Sequence, residues 1–170
     1  PLPPFPTRRS SDLISPYQEY LIGKNFYKML KANVPFIEDL VINEYLDSLG
    51  QKLVSQSDQP DNTFNFFILN IPTINAFAGP DAYIGIHTGL ILNAENESQL
   101  AGVLAHEISH VTQRHLARAM TESSVSPAAM FATILAGILL STQSPQAGAA
   151  ILYGGSAAMM QSQINFTRHN

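Results

Sequence analysis

Asn96-Glu97-Ser98-Gln99-Leu100-Ala101-Gly102-Val103-Leu104-Ala105-His106-Glu107-Ile108-Ser109-His110-Val111 is the stretch that decides how this chain folds. Asn96 followed three residues later by Gln99 is a variant of the capping box, and it predicts a helix opening at Glu97 and running to about Met120. Leu104, Ile108 and Val111 share one side of that helix and should anchor it in a core. His106 and His110 lie on another side. Residues four apart on an α-helix differ by roughly 40° around the axis, so both imidazoles project the same way. The pattern is H-E-x-x-H, and two nitrogens so placed suit adjacent corners of a zinc tetrahedron. Glu107 sits beside the pair, too displaced for a comfortable third ligand but placed to act as general base towards a water at the metal.

A catalytic zinc needs a further protein ligand. His115 would lie roughly 140° round a continuous helix from His110, on the wrong face. The metzincin spacing fails as well, because it wants Gly at Gln113 and His at Leu116. Glu122 follows too directly from the same helix, and after it the chain holds no Asp or Glu. His169 could reach the metal only by folding the tail back. The simplest expectation is a third ligand beyond Asn170.

Working outward, the period changes upstream of the helix. Phe64–Leu69 and Tyr83–Ile86 are β-rich runs, and between them Ile74–Ala78 is followed by a Gly79-Pro80-Asp81 turn, which predicts three short strands. His87 ends the last of these and reads as a satisfied structural histidine. Further upstream, Pro16–Lys31 and Pro35–Ser55 read as amphipathic helices, with Ile37, Leu40, Val41, Leu46, Leu49 and Val54 at helical spacing in the second. Downstream lie two apolar runs, Ala128–Leu140 and Ala147–Met160. Both fall short of the ~20 residues that span a bilayer, so a buried helical hairpin is expected. Met159, Met160 and Phe166 read as packing residues. The fold class is α+β.

The chain has 170 residues, one domain's worth, and a net charge of −4 without a Lys/Arg block, which argues against a nucleic-acid surface. With no cysteine present, zinc would rest on His and carboxylate groups. The first 13 residues carry neither helical nor strand patterning. Phe5-Pro6-Thr7-Arg8-Arg9-Ser10-Ser11-Asp12-Leu13 looks like one translation frame of a sequencing adapter, with a disordered Pro-rich linker as the alternative. Residues 14–170 are then the fold proper.

Taken together, Ile74–Ala78, the strand that follows it, and Glu97 to Met120 resemble the HtpX-like zinc metallopeptidases, nearest their BepA (YfgC) branch. The resemblance continues through Ser144–Gly148 to Ile164–Thr167. It implies a zincin-like catalytic domain, cut short at its end, with one Zn2+ held by His106 and His110 and with Glu107 as general base. It further implies a third ligand, a Glu in an E-x-x-A-D-like segment, directly after a stretch like Asn165–Asn170. Asn75, Ala76, Phe77 and Ala78 would pair with an extended substrate. A periplasmic protease and chaperone is implied, acting on misfolded or stalled envelope proteins, in contact with outer-membrane assembly machinery and peripherally with the membrane.

Two other functions fit parts of the sequence. A non-catalytic chaperone or scaffold could grip extended polypeptide along Asn75–Ala78 if the third ligand is missing. A metal-dependent RNA-processing hydrolase would use His106, His110 and His115 on consecutive turns, but the last interval is one residue short and the acidic balance opposes it.

Overall fold

A computed structural model describes residues 15–115 and 127–143. The elements in order are α1 (Pro16–Asn33), α2 (Leu40–Val54), β1 (Asn65–Leu69), β2 (Ala76–Ala78), a 3-10 turn (Pro80–Ala82), β3 (Tyr83–His87), α3 (Thr88–Asn93), α4 (Glu97–Thr112) and α5 (Pro127–Gln143). The leader before Ile14, Glu122, the second apolar run, His169 and the tail residues Met159, Met160 and Phe166 lie outside the described residues.

The three strands form one sheet in the order β1-β3-β2, with β1 parallel and β2 antiparallel to β3. Strand alternation sorts their side chains onto two faces. Ile68, Ile84 and Ile86 pack with Leu46, Leu49 and Val54 of α2 and with Leu100, Leu104 and Ile108 of α4. Phe67, Leu69, Phe77 and Tyr83 turn the other way and meet Phe26 and Leu30 of α1 and Ile138 of α5. The result is a helix layer on each side of a small sheet, an α+β arrangement as expected. Among the described residues no helix is long and apolar enough to cross a membrane.

Two upstream expectations need correction. The second helix begins at Leu40 and not at Pro35, because Asp39 is its N-cap and accepts the Ile42 amide at 3.0 Å. Residues 35–37 are extended instead: Phe36 bridges Leu69, Ile37 N–H donates to Ile68 O, and Asn70 N–H donates to Pro35 O. A residue before proline is pushed out of the helical region, which suits Val34 as the end of α1. This short segment covers the outer side of β1. Leu40 and Val41, counted into the apolar spacing of this helix, are exposed. They fall roughly 120° and 140° round α2 from buried Leu46, off its inward face.

Candidate active site

Helix α4 begins as its sequence predicts. Asn96 Oδ1 accepts the Gln99 amide at 3.1 Å, while Gln99 Oε1 reaches back one residue past the cap to accept the Glu95 amide at 2.9 Å. From α2, the Tyr45 hydroxyl donates to the Glu97 carboxylate at 2.8 Å and ties the first turn down. Leu100, Leu104 and Ile108 are buried against the sheet, and Val111 is half-buried beside them. That face fixes the helix's rotation and therefore where its polar residues point.

His106 and His110 emerge together. Their Nε2 atoms are 3.0 Å apart and the rings meet edge-to-face. Two zinc–nitrogen bonds at a tetrahedral angle place their nitrogens about 3.3 Å apart, so the pair fits a zinc ion with a few tenths of an ångström of adjustment. Burial lowers the pKa of His110, with His106 and His115 acting in the same direction, and a ligand imidazole must be neutral. Among the described residues, no group of three His, Cys, Asp or Glu side chains is set to hold a metal.

Glu107 turns inward instead. It is 8% exposed, and burial pushes its carboxyl up to about 7, opposed by a hydrogen bond from the Ala78 backbone. That bond joins α4 to β2. Gly79 N–H donates to Tyr83 O and His87 N–H donates to Asn75 O, so the odd-numbered residues of this strand address β3. The backbone groups of Ala76 and Ala78 consequently point to the opposite edge. With β1 covered by residues 35–37, β2 is the outer edge on the Glu107 side. Of the sequence-predicted strand residues, Ala76, Phe77 and Ala78 are in β2, and Asn75 immediately precedes it. The Phe77 side chain packs into the α1 side, against Phe26 and Phe67, so only its backbone belongs to the edge.

One expectation fails. Helix α4 stops at Thr112, short of Met120, and His115 is not on the wrong face: its Nδ1 lies 2.7 Å from Nδ1 of His110. The cause is a reversal at Arg114, whose φ of 52° is left-handed and ends the helix. Arg114 is held there by Glu19 of α1 at 2.8 Å, and Gln59 Nε2 donates to the last helical carbonyl, Thr112 O, at 2.9 Å. Sequence carried no signal of this, since left-handed helix ends are ordinarily marked by Gly or Asn.

His87 is buried, as a structural histidine should be. Its Nδ1 is 2.7 Å from Thr73 Oγ1, but Nε2 has no hydrogen-bond partner, and burial lowers its pKa to about 4.

Residues 42–170 match peptidase family M48. The chain is 43% identical over 169 residues to the beta-barrel assembly-enhancing protease of Escherichia coli strain K12, covering 99% of this chain and 34% of that protein. It is 42% identical over 153 residues to the protein of that name in Yersinia pestis, covering 90% of this chain and 32% of that one. A shorter stretch of 61 residues is 31% identical to the mitochondrial metalloendopeptidase OMA1 of Arabidopsis thaliana, covering 36% of this chain and 13% of that protein. The chain spans about a third of the length of the beta-barrel assembly-enhancing proteases it matches. A family match over residues 42–170 reaches well past half of the sequence, and the chain belongs to peptidase family M48.

Proposed function

We propose that this chain carries the metal-binding helix of a zinc-dependent endopeptidase that cleaves misfolded or stalled outer-membrane proteins in the periplasm. The observation that carries the reading is the convergence of His106 Nε2 and His110 Nε2, 3.0 Å apart, next to a buried Glu107 bonded to the edge strand. His106 and His110 would hold one zinc ion. When bound, zinc supplies a Lewis acid that polarises a scissile carbonyl and acidifies water.

The remaining chemistry falls to the chain's own residues. Glu107 takes the proton of the attacking water and passes it to the leaving nitrogen. A carboxyl pushed up to about 7 is matched to that work near neutral pH. An extended substrate adds alongside β2, pairing with outward backbone groups of Ala76 and Ala78 other than the Ala78 N–H bonded to Glu107, so that its scissile bond lies near Glu107. This is the zincin-like arrangement. Support for the substrate class comes from the names of the Escherichia coli and Yersinia pestis relatives, which are beta-barrel assembly-enhancing proteases. The periplasmic location and contact with assembly machinery belong to the same reading.

A second reading, a chaperone that grips extended polypeptide, draws on the same edge strand and needs no metal. Incubating the full-length protein with an unfolded β-barrel outer-membrane protein separates the two. Wild type should cleave it, and both a zinc chelator and Glu107→Gln should abolish cleavage. Suppression of aggregation that survives Glu107→Gln would establish the chaperone reading alongside the protease; a Glu107→Gln variant that still cleaves would overturn the catalytic assignment.

A further inference from the structure

The end of α4 is built in an unusual way. Gln113 N–H donates to Ser109 O at 3.0 Å and Arg114 N–H donates to Val111 O at 2.8 Å, closing the final turn. Arg114 then takes a left-handed conformation that residues bearing a Cβ adopt reluctantly. Two contacts from distant parts of the chain hold it: the Glu19 carboxylate on the Arg114 guanidinium, and the Gln59 amide on the Thr112 carbonyl. Their joint effect is to swing the following residue back beside the helix. His115 Nδ1 therefore faces His110 Nδ1 at 2.7 Å, with the rings 4.9 Å apart between centroids.

We propose that His115 is a positioning residue for His110, accepting its Nδ1–H and so fixing the tautomer that offers the Nε2 lone pair towards His106. The inference rests on the reading of His106 and His110 as zinc ligands. Its logic is proton bookkeeping on one ring. Nε2 of His110 is the atom that converges with Nε2 of His106, so in the ligand state it carries no proton and Nδ1 does. A proton on Nδ1 needs an acceptor, which metal-bound histidines ordinarily find in a carboxylate, a backbone carbonyl or water. The atom within reach here is His115 Nδ1, whose own ring proton then sits on Nε2. Through Arg114, the salt bridge to Glu19 helps set the orientation of a ligand 91 positions away in sequence. His115 is exposed, so its truncation leaves the core untouched.

The test is zinc titration of the metal-free full-length protein against a chromophoric chelator, together with the visible spectrum of the cobalt-substituted form. His115→Ala should weaken zinc roughly 10- to 100-fold, a typical effect of losing such a partner, and should alter the cobalt bands, with the metal-free melting temperature unchanged. His115→Asn, whose amide oxygen can stand where Nδ1 was, should recover most of the affinity and the wild-type bands. His110→Ala serves as the reference. If His110→Ala abolishes binding while His115→Ala binds as wild type, the positioning role is wrong and the ligand reading stands. If His115→Ala is as defective as His110→Ala and His115→Asn rescues nothing, His115 is itself a ligand and the positioning role is again wrong. Binding that survives His110→Ala removes the ligand reading and this inference with it.

Discussion

The carboxylate of Glu107 accepts the backbone N–H of Ala78, which couples the His106–His110 helix to the outer strand of the sheet through one buried hydrogen bond. The strand amide so engaged points away from β3, on the outer edge of β2.

Replacing Glu107 by Gln keeps the shape and an acceptor oxygen for the Ala78 amide but removes the base. Peptide hydrolysis by the full-length protein should fall by roughly 10²–10⁴-fold, the usual scale for losing a general base, while zinc stoichiometry stays at the wild-type value. Steady-state cleavage rates and metal analysis on the same preparation check both halves.

His87 makes stability depend on pH in a defined window. Its native pKa of about 4 lies below the ordinary 6.5, so between these values the unfolded chain holds more protons than the native one. Stability from keeping His87 neutral is complete above ~6.5 and is lost as pH falls towards about 4, amounting to roughly 2–3 kcal/mol at pH 4.5. Amide exchange of β3 in the full-length protein should accelerate over that range in wild type and much less in His87→Asn. Equal acid sensitivity in both would refute the assignment.

Two glycines should respond in opposite directions to alanine. A Cβ on Gly89 would collide with the backbone carbonyl oxygens of Pro72 and Thr73, which cannot move aside as a flexible side chain could. Gly89→Ala should therefore destabilise by about 1–3 kcal/mol or more. A Cβ on Gly102, in the middle of α4, would meet nothing within 4 Å beyond the backbone of its own helix. Gly102→Ala should stabilise the helix by up to about 1 kcal/mol through propensity alone. Thermal or chemical denaturation of the two variants side by side would show the contrast.

Leu104 is fully buried between α4 and the isoleucine face of the sheet, two residues before His106 and six before His110. Leu104→Ala should cost about 2–5 kcal/mol and loosen the rotation that aims both imidazoles. Reduced zinc affinity alongside the lower stability, measured by competition titration, would register that second effect.

Much of this site was legible because it is local. The Asn96 cap, the leucine and isoleucine spacing of α4 and the four-residue interval between His106 and His110 all act within a few turns of one helix. The Gly79-Pro80-Asp81 turn likewise delimited β2 from its immediate neighbours. What escaped reading depends on distant partners. The stop at Thr112 relies on Glu19, 95 residues before Arg114, and on Gln59, 53 residues before Thr112. The apolar residues of the extended segment 35–37 continue the spacing of α2 and so suggest helix, while its hydrogen bonds go to Ile68 and Asn70, some thirty residues on.

The role proposed for His106 and His110 is to hold a catalytic zinc. It is tested most directly by titrating zinc into the metal-free full-length protein and its His106→Ala and His110→Ala variants. One tightly bound ion per chain is expected in wild type, with its loss in either variant. Wild-type stoichiometry and affinity retained in both would contradict it.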